Sequence, residues 1–582
     1  MALKYWFEFK DVKAIVHRVE ISDATFVGSS TQVFGSCSLE YSETKDTLEP
    51  VRGSGLRIDL EANSALTFYD LYSEEERTFS VLYKRNNEIL FNGWLSPEGI
   101  YESLVTDKWV ISLDCTDGLG FLANLSYVED ATGLPFVGKQ SLLEIVSNCL
   151  KRTKTPQNIL TSVNIYYNGL SQSLNPFANV YFNANRFVKE DKGDTYMNCE
   201  EVLKSVLEPF GAVLTSYKGE WLIYKPNSLV DSSSQVFFAY DSLGVALSPA
   251  SRTIDFALDL GSQIDAYYPH HVNGNQQKTV KSAIGAYRIN YKYGRINYFN
   301  NEDIIVILPT TGQTTKLSTP FNVNENLRLN FNFKNRVETD PSFFITAVNL
   351  FILIQVAGDD YFYNGTNNWV KGSAISINLP KTNDITYELP PVPENGVFYS
   401  YVDFAGGSGD PLEGGALIGN WNAYTSSTQI DLKGENHTFQ RQLKPSSKIK
   451  DVKEIFVGDD PQDAYVGTIY KNDEITPTDL WTRQGASETK PILRIMGEER
   501  MKMYSKPLQV YKGDIYGYFN YLSLVTINGL TGKFMPTTYS YNALSNITSL
   551  ELTEVLNTDI LSDVDYILTF DYGNVVEPTI KG

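Results

Sequence analysis

The chain is poor in the residues that most chemistry uses. Histidine occurs four times in 582 residues, cysteine four times and methionine six. Arg and Lys total 49 against 69 Asp and Glu, a net charge of −20. No window holds five basic residues in eight, so the stripe that specific nucleic-acid binding needs is missing. An acidic chain instead stays soluble and repels polyanions. No run approaches the ~20 apolar residues of a membrane span. The longest, Ile304–Leu308 and Leu350–Ile354, suit buried strands. Met1–Lys10 lacks the apolar core and small-residue cleavage site of a signal peptide, so cytoplasmic synthesis is expected.

Enzyme signatures are equally scarce. There is no G-x-S-x-G, H-E-x-x-H or C-x-x-C. Cys37, Cys115, Cys149 and Cys199 are spaced 78, 34 and 50 apart. That fits no zinc pattern and reads as buried free thiols. His270 and His271 are adjacent, so on a strand they point to opposite faces and do not chelate. His17 and His437 stand apart from any nucleophile motif. Gly118-Leu-Gly120 lacks the third glycine of a phosphate loop and reads as a turn. Asp403 and Asp459-Asp460 are carboxylates that sequence alone cannot pair for glycoside hydrolysis. The expectation is no catalytic residue, no cofactor and no metal.

Aromatic residues are abundant: 37 Tyr, 31 Phe and 7 Trp. With 41 Gly and 24 Pro this favours pleated surfaces and many turns. The predicted class is mainly β with α+β modules, in several domains. Residues 1–125 read as short strands, with Tyr5, Phe7 and Phe9 alternating with polar neighbours and Phe79–Leu95 a hairpin around Asn86-Asn87. Ser73–Glu76 hints at a helical turn. Residues 126–230 read as an α+β module. Ser141-Leu-Leu-Glu144 is a capping-box signature, and a second helix starts at Asn198 with Glu201 three residues on. A hairpin follows over Ala212–Tyr224. Pro226–Gln235 reads as a Ser-rich linker. Residues 231–320 read as a further strand segment and 321–480 as an inserted β-sandwich with a Gly-rich loop at 405–415. Residues 481–582 form a closing α+β segment whose helix begins near Pro491.

The order of these pieces resembles a known family. Ile89-Leu-Phe-Asn-Gly-Trp-Leu95, Trp109–Asp117 with Gly118–Leu122, the helix at Ser141–Leu150, and Glu201–Phe210 with its hairpin to Tyr224 resemble the N-terminal half of baseplate-hub, or tail-tip, proteins of long-tailed bacteriophages. Asp46–Ser54, Phe68–Tyr72, Glu454–Asp459 and Pro491–Gly513 resemble tail proteins of Bacteroidetes-type phages and prophages. Residues 240–450 match no such pattern.

The resemblance implies small β-barrels of the hub type, at 1–125 and in parts of 236–320 with the C-terminal region. It implies a homotrimer at the tail tip of the virion, ringing an exit path for DNA and the tape-measure protein. Its partners would be sister copies, a tail tube or distal tail protein, the tape-measure protein, and tail fibres or receptor-binding proteins. Specific nucleic-acid binding and a membrane span are not expected. A carbohydrate-binding adhesin built on 321–480, a cell-wall lysin and a distal tail ring protein are the alternatives.

Overall fold

A computed structural model describes the chain apart from residues 45, 63–65, 103–108, 137, 188–195, 261–268, 273, 284–285, 292–296, 302–304, 308–314, 317–319, 324–328, 337–346, 358, 380–381, 406–415, 426–436, 443–449, 459–466, 479, 505, 557–566 and 571–582. The molecule is mainly β, in several sheets with a few helices.

The largest sheet has 15 strands. Its N-terminal part holds Ala2–Lys10, Val16–Asp23, Gly35–Tyr41, Ser54–Glu61, Phe79–Arg85, Glu88–Glu102 and Val110–Thr116, in neighbouring antiparallel pairs. Alternation drives this assembly. In Ser54–Glu61 the residues Leu56, Ile58 and Leu60 are buried while Arg57 is exposed. Asn86 and Asn87, both at positive φ, make the tight turn between two of these strands.

These strands do not form a closed barrel by themselves. Ser38–Tyr41 pairs antiparallel with Tyr539–Asn542, which carries the sheet on into Lys533–Asn542, Ile547–Val555 and Leu508–Tyr516. Ala257–Leu260, His270–His271 and Gln277–Lys281 join that C-terminal part. The pairing path is open and ends at Thr31–Gln32 on one side. The physical reason is local. Backbone groups that a barrel would satisfy by closure are satisfied here by strands nearly 500 residues away.

Residues 126–240 fold around α1 (Leu142–Lys151) and α2 (Cys199–Leu207). Ser141 Oγ accepts from the Glu144 amide at 3.1 Å. Asn198 and Glu201 form a full capping box, with bonds of 2.8 and 2.9 Å. The hairpin Val213–Tyr217 and Glu220–Tyr224 turns at Lys218-Gly219, again both at positive φ. A Cβ on Gly219 would stand 3.0 Å from Ile89, so the hairpin tip rests on the N-terminal strands.

Two expected features differ. Pro226–Asp231 is not a linker but a short buried helix, α3, with Pro in its first turn and Leu229 and Val230 in the core. The helical turn expected at Ser73–Glu76 lies earlier, at Phe68–Asp70, where Asp70 accepts from the Thr67 amide and hydroxyl at 2.8 Å.

Residues 297–425 supply two antiparallel sheets, one around Leu329–Arg336 and Ala416–Thr425, the other around Ala347–Val356 and Gly396–Ala405. Phe331 of the first and Phe398 of the second lie 6.2 Å apart. The last helix, α4, spans Ile492–Tyr504, directly after Pro491. Among the described residues, no helix is long and apolar enough to cross a membrane.

Candidate functional site

The residues singled out from sequence do not converge. All four cysteines are buried and unbridged. Burial pushes the Cys37 and Cys115 thiols far up, so neither offers a thiolate. His270 and His271 lie on an edge strand against Tyr516 and Ile515. His271 Nδ1 meets the Tyr511 hydroxyl at 2.8 Å. His437 begins a strand paired with Ile567–Phe570. Gly118, at φ 96°, opens a 3₁₀ turn rather than a phosphate loop. Asp403 sits opposite Asn349 in its sheet. Asp459-Asp460 and the 406–415 loop lie outside the described residues. Among the described residues, no group of three or more His, Cys, Asp or Glu could hold a metal ion.

His17 comes nearest to a catalytic arrangement. Its Nδ1 lies 2.8 Å from the Tyr83 hydroxyl and its Nε2 lies 3.5 Å from Asp11 Oδ2. The ring is also stacked against Phe9 at 5.0 Å. The His17 and Asp11 side chains are fully enclosed and Tyr83 is fully buried. Burial lowers the His17 pKa against the pull of Asp11. This is a packed core histidine that no substrate reaches.

A constellation of buried and half-buried charge lies at a junction of chain segments. Asp46 accepts from Arg500 and the Tyr504 hydroxyl, and from the Leu48 amide at 2.9 Å. Burial alone would raise the Asp46 carboxyl. Arg500, Tyr504 and the Leu48 N–H outweigh it and hold the pKa below its usual value. Arg52, 2% exposed, donates to the Asp46 carbonyl at 3.1 Å and to the Tyr521 hydroxyl at 3.2 Å. Thr47 Oγ1 and the Tyr504 hydroxyl are 2.8 Å apart.

A second cluster adjoins it. Lys225 Nζ donates to both Glu499 oxygens at 2.9 and 3.0 Å. Arg483 Nε stands 2.8 Å from the same carboxylate. Burial lowers the Lys225 pKa to about 8 although Glu499 pulls it up. Lys453 pairs with Glu208 at 3.2 Å. Burial still raises the Glu208 carboxyl above its usual value. A cavity of about 20 Å³ between Glu208, Lys453, Glu499 and Arg500 has room for one water.

Sequence reasoning did not single out Lys225, Glu499 or Arg500 as a group. Each is an ordinary charged residue in its own segment, and only the tertiary fold brings them together. Two segments that carried the family resemblance, Asp46–Ser54 and Pro491–Gly513, meet here through Asp46, Arg500 and Tyr504. A third lies beside them: Ile455 and Val457 share a core with Ile492.

The aromatic rings of the 297–425 sheets are engaged with one another. Phe351 stacks on Tyr401 at 4.6 Å, and Tyr363 contacts both Trp369 and Tyr387. Among the described residues, the exposed large aromatics are Phe34, Tyr69, Tyr72, Tyr101 and Tyr516, all outside 321–480.

No protein-family model and no curated protein matches the chain. Among solved structures it is similar to the 43 kDa tail protein of prophage MuSo2 from Shewanella oneidensis, at 9% identity over 93% of this chain and 99% of that one, with a TM-score of 0.36. It is similar to a tail protein from Neisseria meningitidis, at 8% identity over 93% and 98%, TM-score 0.38. A prophage tail protein from Listeria monocytogenes aligns at 6% identity over 92% and 94%, TM-score 0.35. Identities below 10% and TM-scores below 0.5 are too low to transfer a role from any of them.

Proposed function

We propose that the chain is a structural protein of a bacteriophage tail, a trimeric hub at the tail tip that joins the tail tube to host-contacting parts. The observation that carries this reading is the junction of Asp46, Arg52, Arg500 and Tyr504. Segments that resemble tail proteins, about 450 residues apart, lock there through buried ionic contacts, and the N- and C-terminal strands share one sheet. Such a joint fixes the relative position of distant segments, as a scaffold requires. It presents no reachable nucleophile or acid–base pair.

The sheet's open ends, at Thr31–Gln32 and Gln277–Lys281, are exposed edge strands. Edges of this kind are completed by neighbouring chains in closed assemblies. A net charge of −20 would let DNA pass such a ring without adhering. Gold-labelled antibodies raised against the chain test the location on intact phage. Label at the tail tip is the expected result. Label on the head, along the tail shaft, or on no particle refutes the reading.

A further inference from the structure

Two of the four cysteines differ from the other two in what surrounds them. Cys37 lies on Gly35–Tyr41 and Cys115 on Val110–Thr116, with Ser54–Glu61 paired between them. Two strand spacings put them roughly 9–10 Å apart, too far for a disulfide. Cys149 and Cys199 instead share one core, on helices that pack against each other. Cys149 occupies the last turn of α1, and Cys199 is the first residue of α2. Their thiols are hydrogen-bonded to each other. The Cys199 thiol also donates to the Ser126 carbonyl at 3.7 Å, and its amide to the Leu125 carbonyl at 2.8 Å.

The two thiols are not equivalent. Cys199 stands at the N-terminus of its helix, where the backbone dipole favours an anion. The bond from the Cys149 thiol, helped by Arg152, outweighs burial and holds the Cys199 thiol below its usual range. Burial, and then the bond to Cys199, pushes the Cys149 thiol well above that range. One sulfur therefore favours the thiolate and the other stays a thiol that donates to it. A nucleophilic cysteine beside a resolving one has this arrangement.

We propose that Cys199 and Cys149 form a peroxide-reactive dithiol, which closes to a disulfide and ties α1 to α2. The oxidant is hydrogen peroxide. The Cys199 thiolate attacks one oxygen and the O–O bond breaks. That oxygen stays on sulfur as a sulfenic acid, and the other leaves with a proton as water. The Cys149 sulfur then attacks the sulfenic sulfur. The S–S bond forms, and the hydroxyl leaves with the Cys149 proton as a second water. The two thiols lose two electrons and two protons, and the peroxide takes up both. Both cysteines are 0% exposed, so the reaction waits on local opening at the start of α2, where Asn198 meets Ser126 in an isolated bridge. This chemistry does not depend on the tail-tip reading.

Peptide mapping without reduction tests it, on the full chain held in native buffer with millimolar hydrogen peroxide and then capped with N-ethylmaleimide. One intrachain link is expected, between the tryptic peptides that carry Cys149 and Cys199, with Cys37 and Cys115 still reduced. The oxidised chain should unfold at higher urea than the reduced chain, because the link closes a loop of about 50 residues. In the Cys149→Ser chain dimedone should label Cys199. In the Cys199→Ser chain its label on Cys149 should be at least tenfold weaker. A link that involves Cys37 or Cys115, a link between chains, equal dimedone labelling of the two variants, or four reduced thiols after a day in peroxide overturns the proposal. So does a link that forms only once urea has unfolded the chain.

Discussion

Removing the Glu499 charge should destabilise the junction by an amount that depends on pH in a way set by Lys225. In the intact protein Lys225 has a pKa of about 8, so at pH 7 its charged form is favoured by about 1.4 kcal/mol over the neutral one. Glu499→Gln takes away the main attraction that keeps the proton on this buried amine. Lys225 then deprotonates, which limits its share of the cost to about 1.4 kcal/mol at pH 7, roughly 2.7 at pH 6 and close to zero at pH 8. Arg483 also loses one of its two nearby carboxylates, Asp231 remaining at 3.6 Å, for a further pH-independent cost of at most about 1 kcal/mol. The sum at pH 6, about 3–4 kcal/mol, lies within the ~3–5 kcal/mol typical of a broken buried pair.

The sign follows from proton counts. In the variant the folded state holds Lys225 neutral while the unfolded state holds it protonated, so stability rises with pH between 6 and 8. In the wild type Lys225 is charged in both states below about pH 7 and contributes little slope there; its slope sets in near pH 8. Lys225→Met should cost less, because Glu499 keeps Arg483 at 2.8 Å. Hydrogen exchange of the segments 220–231 and 492–504, corrected for intrinsic rates, reads both effects locally. A Glu499→Gln penalty that is the same at pH 6 and pH 8 refutes the reasoning, as does a larger penalty for Lys225→Met.

Three other outcomes are expected. Burial pushes Asp117 up to about 6, against the Ser54 and Leu119 N–H groups that favour its charge. Its folded pKa lies above the unfolded value, so its contribution is full below pH 4 and lost as pH rises to 6; relative to Asp117→Asn, wild-type stability should fall by about 3 kcal/mol across that window in urea titrations. Tyr539→Ala should cost about 3–5 kcal/mol by the same titrations, since this 1% exposed ring packs edge-on against Tyr41 and Tyr521 and its hydroxyl donates to the Phe519 carbonyl at 2.7 Å. Asn198→Ala removes half of a capping box and should cost about 1 kcal/mol, seen as faster exchange in 199–207.

Local features were legible in the sequence where local chemistry decides them. Ser141, Asn198 with Glu201, and Pro491 each mark a helix start, because a cap acts within one turn. Asn86-Asn87 and Lys218-Gly219 mark hairpins, because positive φ is needed at those positions. The pairing of Ser38–Tyr41 with Tyr539–Asn542 left no such signal. Alternation shows that a strand has a buried face, but not which distant strand completes its edge. That is also why 1–125 read as a self-contained barrel. Pro226–Gln235 misled for a different reason. Its serines and asparagine suggest a linker, yet Asn227 and Ser228 are buried and Leu229 and Val230 enter the core. The charged junction was invisible because Lys225, Glu499 and Arg500 acquire meaning only from contacts across segments.

The tail-tip proposal is tested most directly by electron cryo-microscopy of intact tails bearing a tag in the exposed turn 364–368 of this chain. The account predicts three copies around the axis at the tip, with the sheet of Ala2–Thr116 and Leu508–Val555 towards the channel. Six copies along the tube, copies only in peripheral fibres, or a tip in which the chain is missing would contradict it.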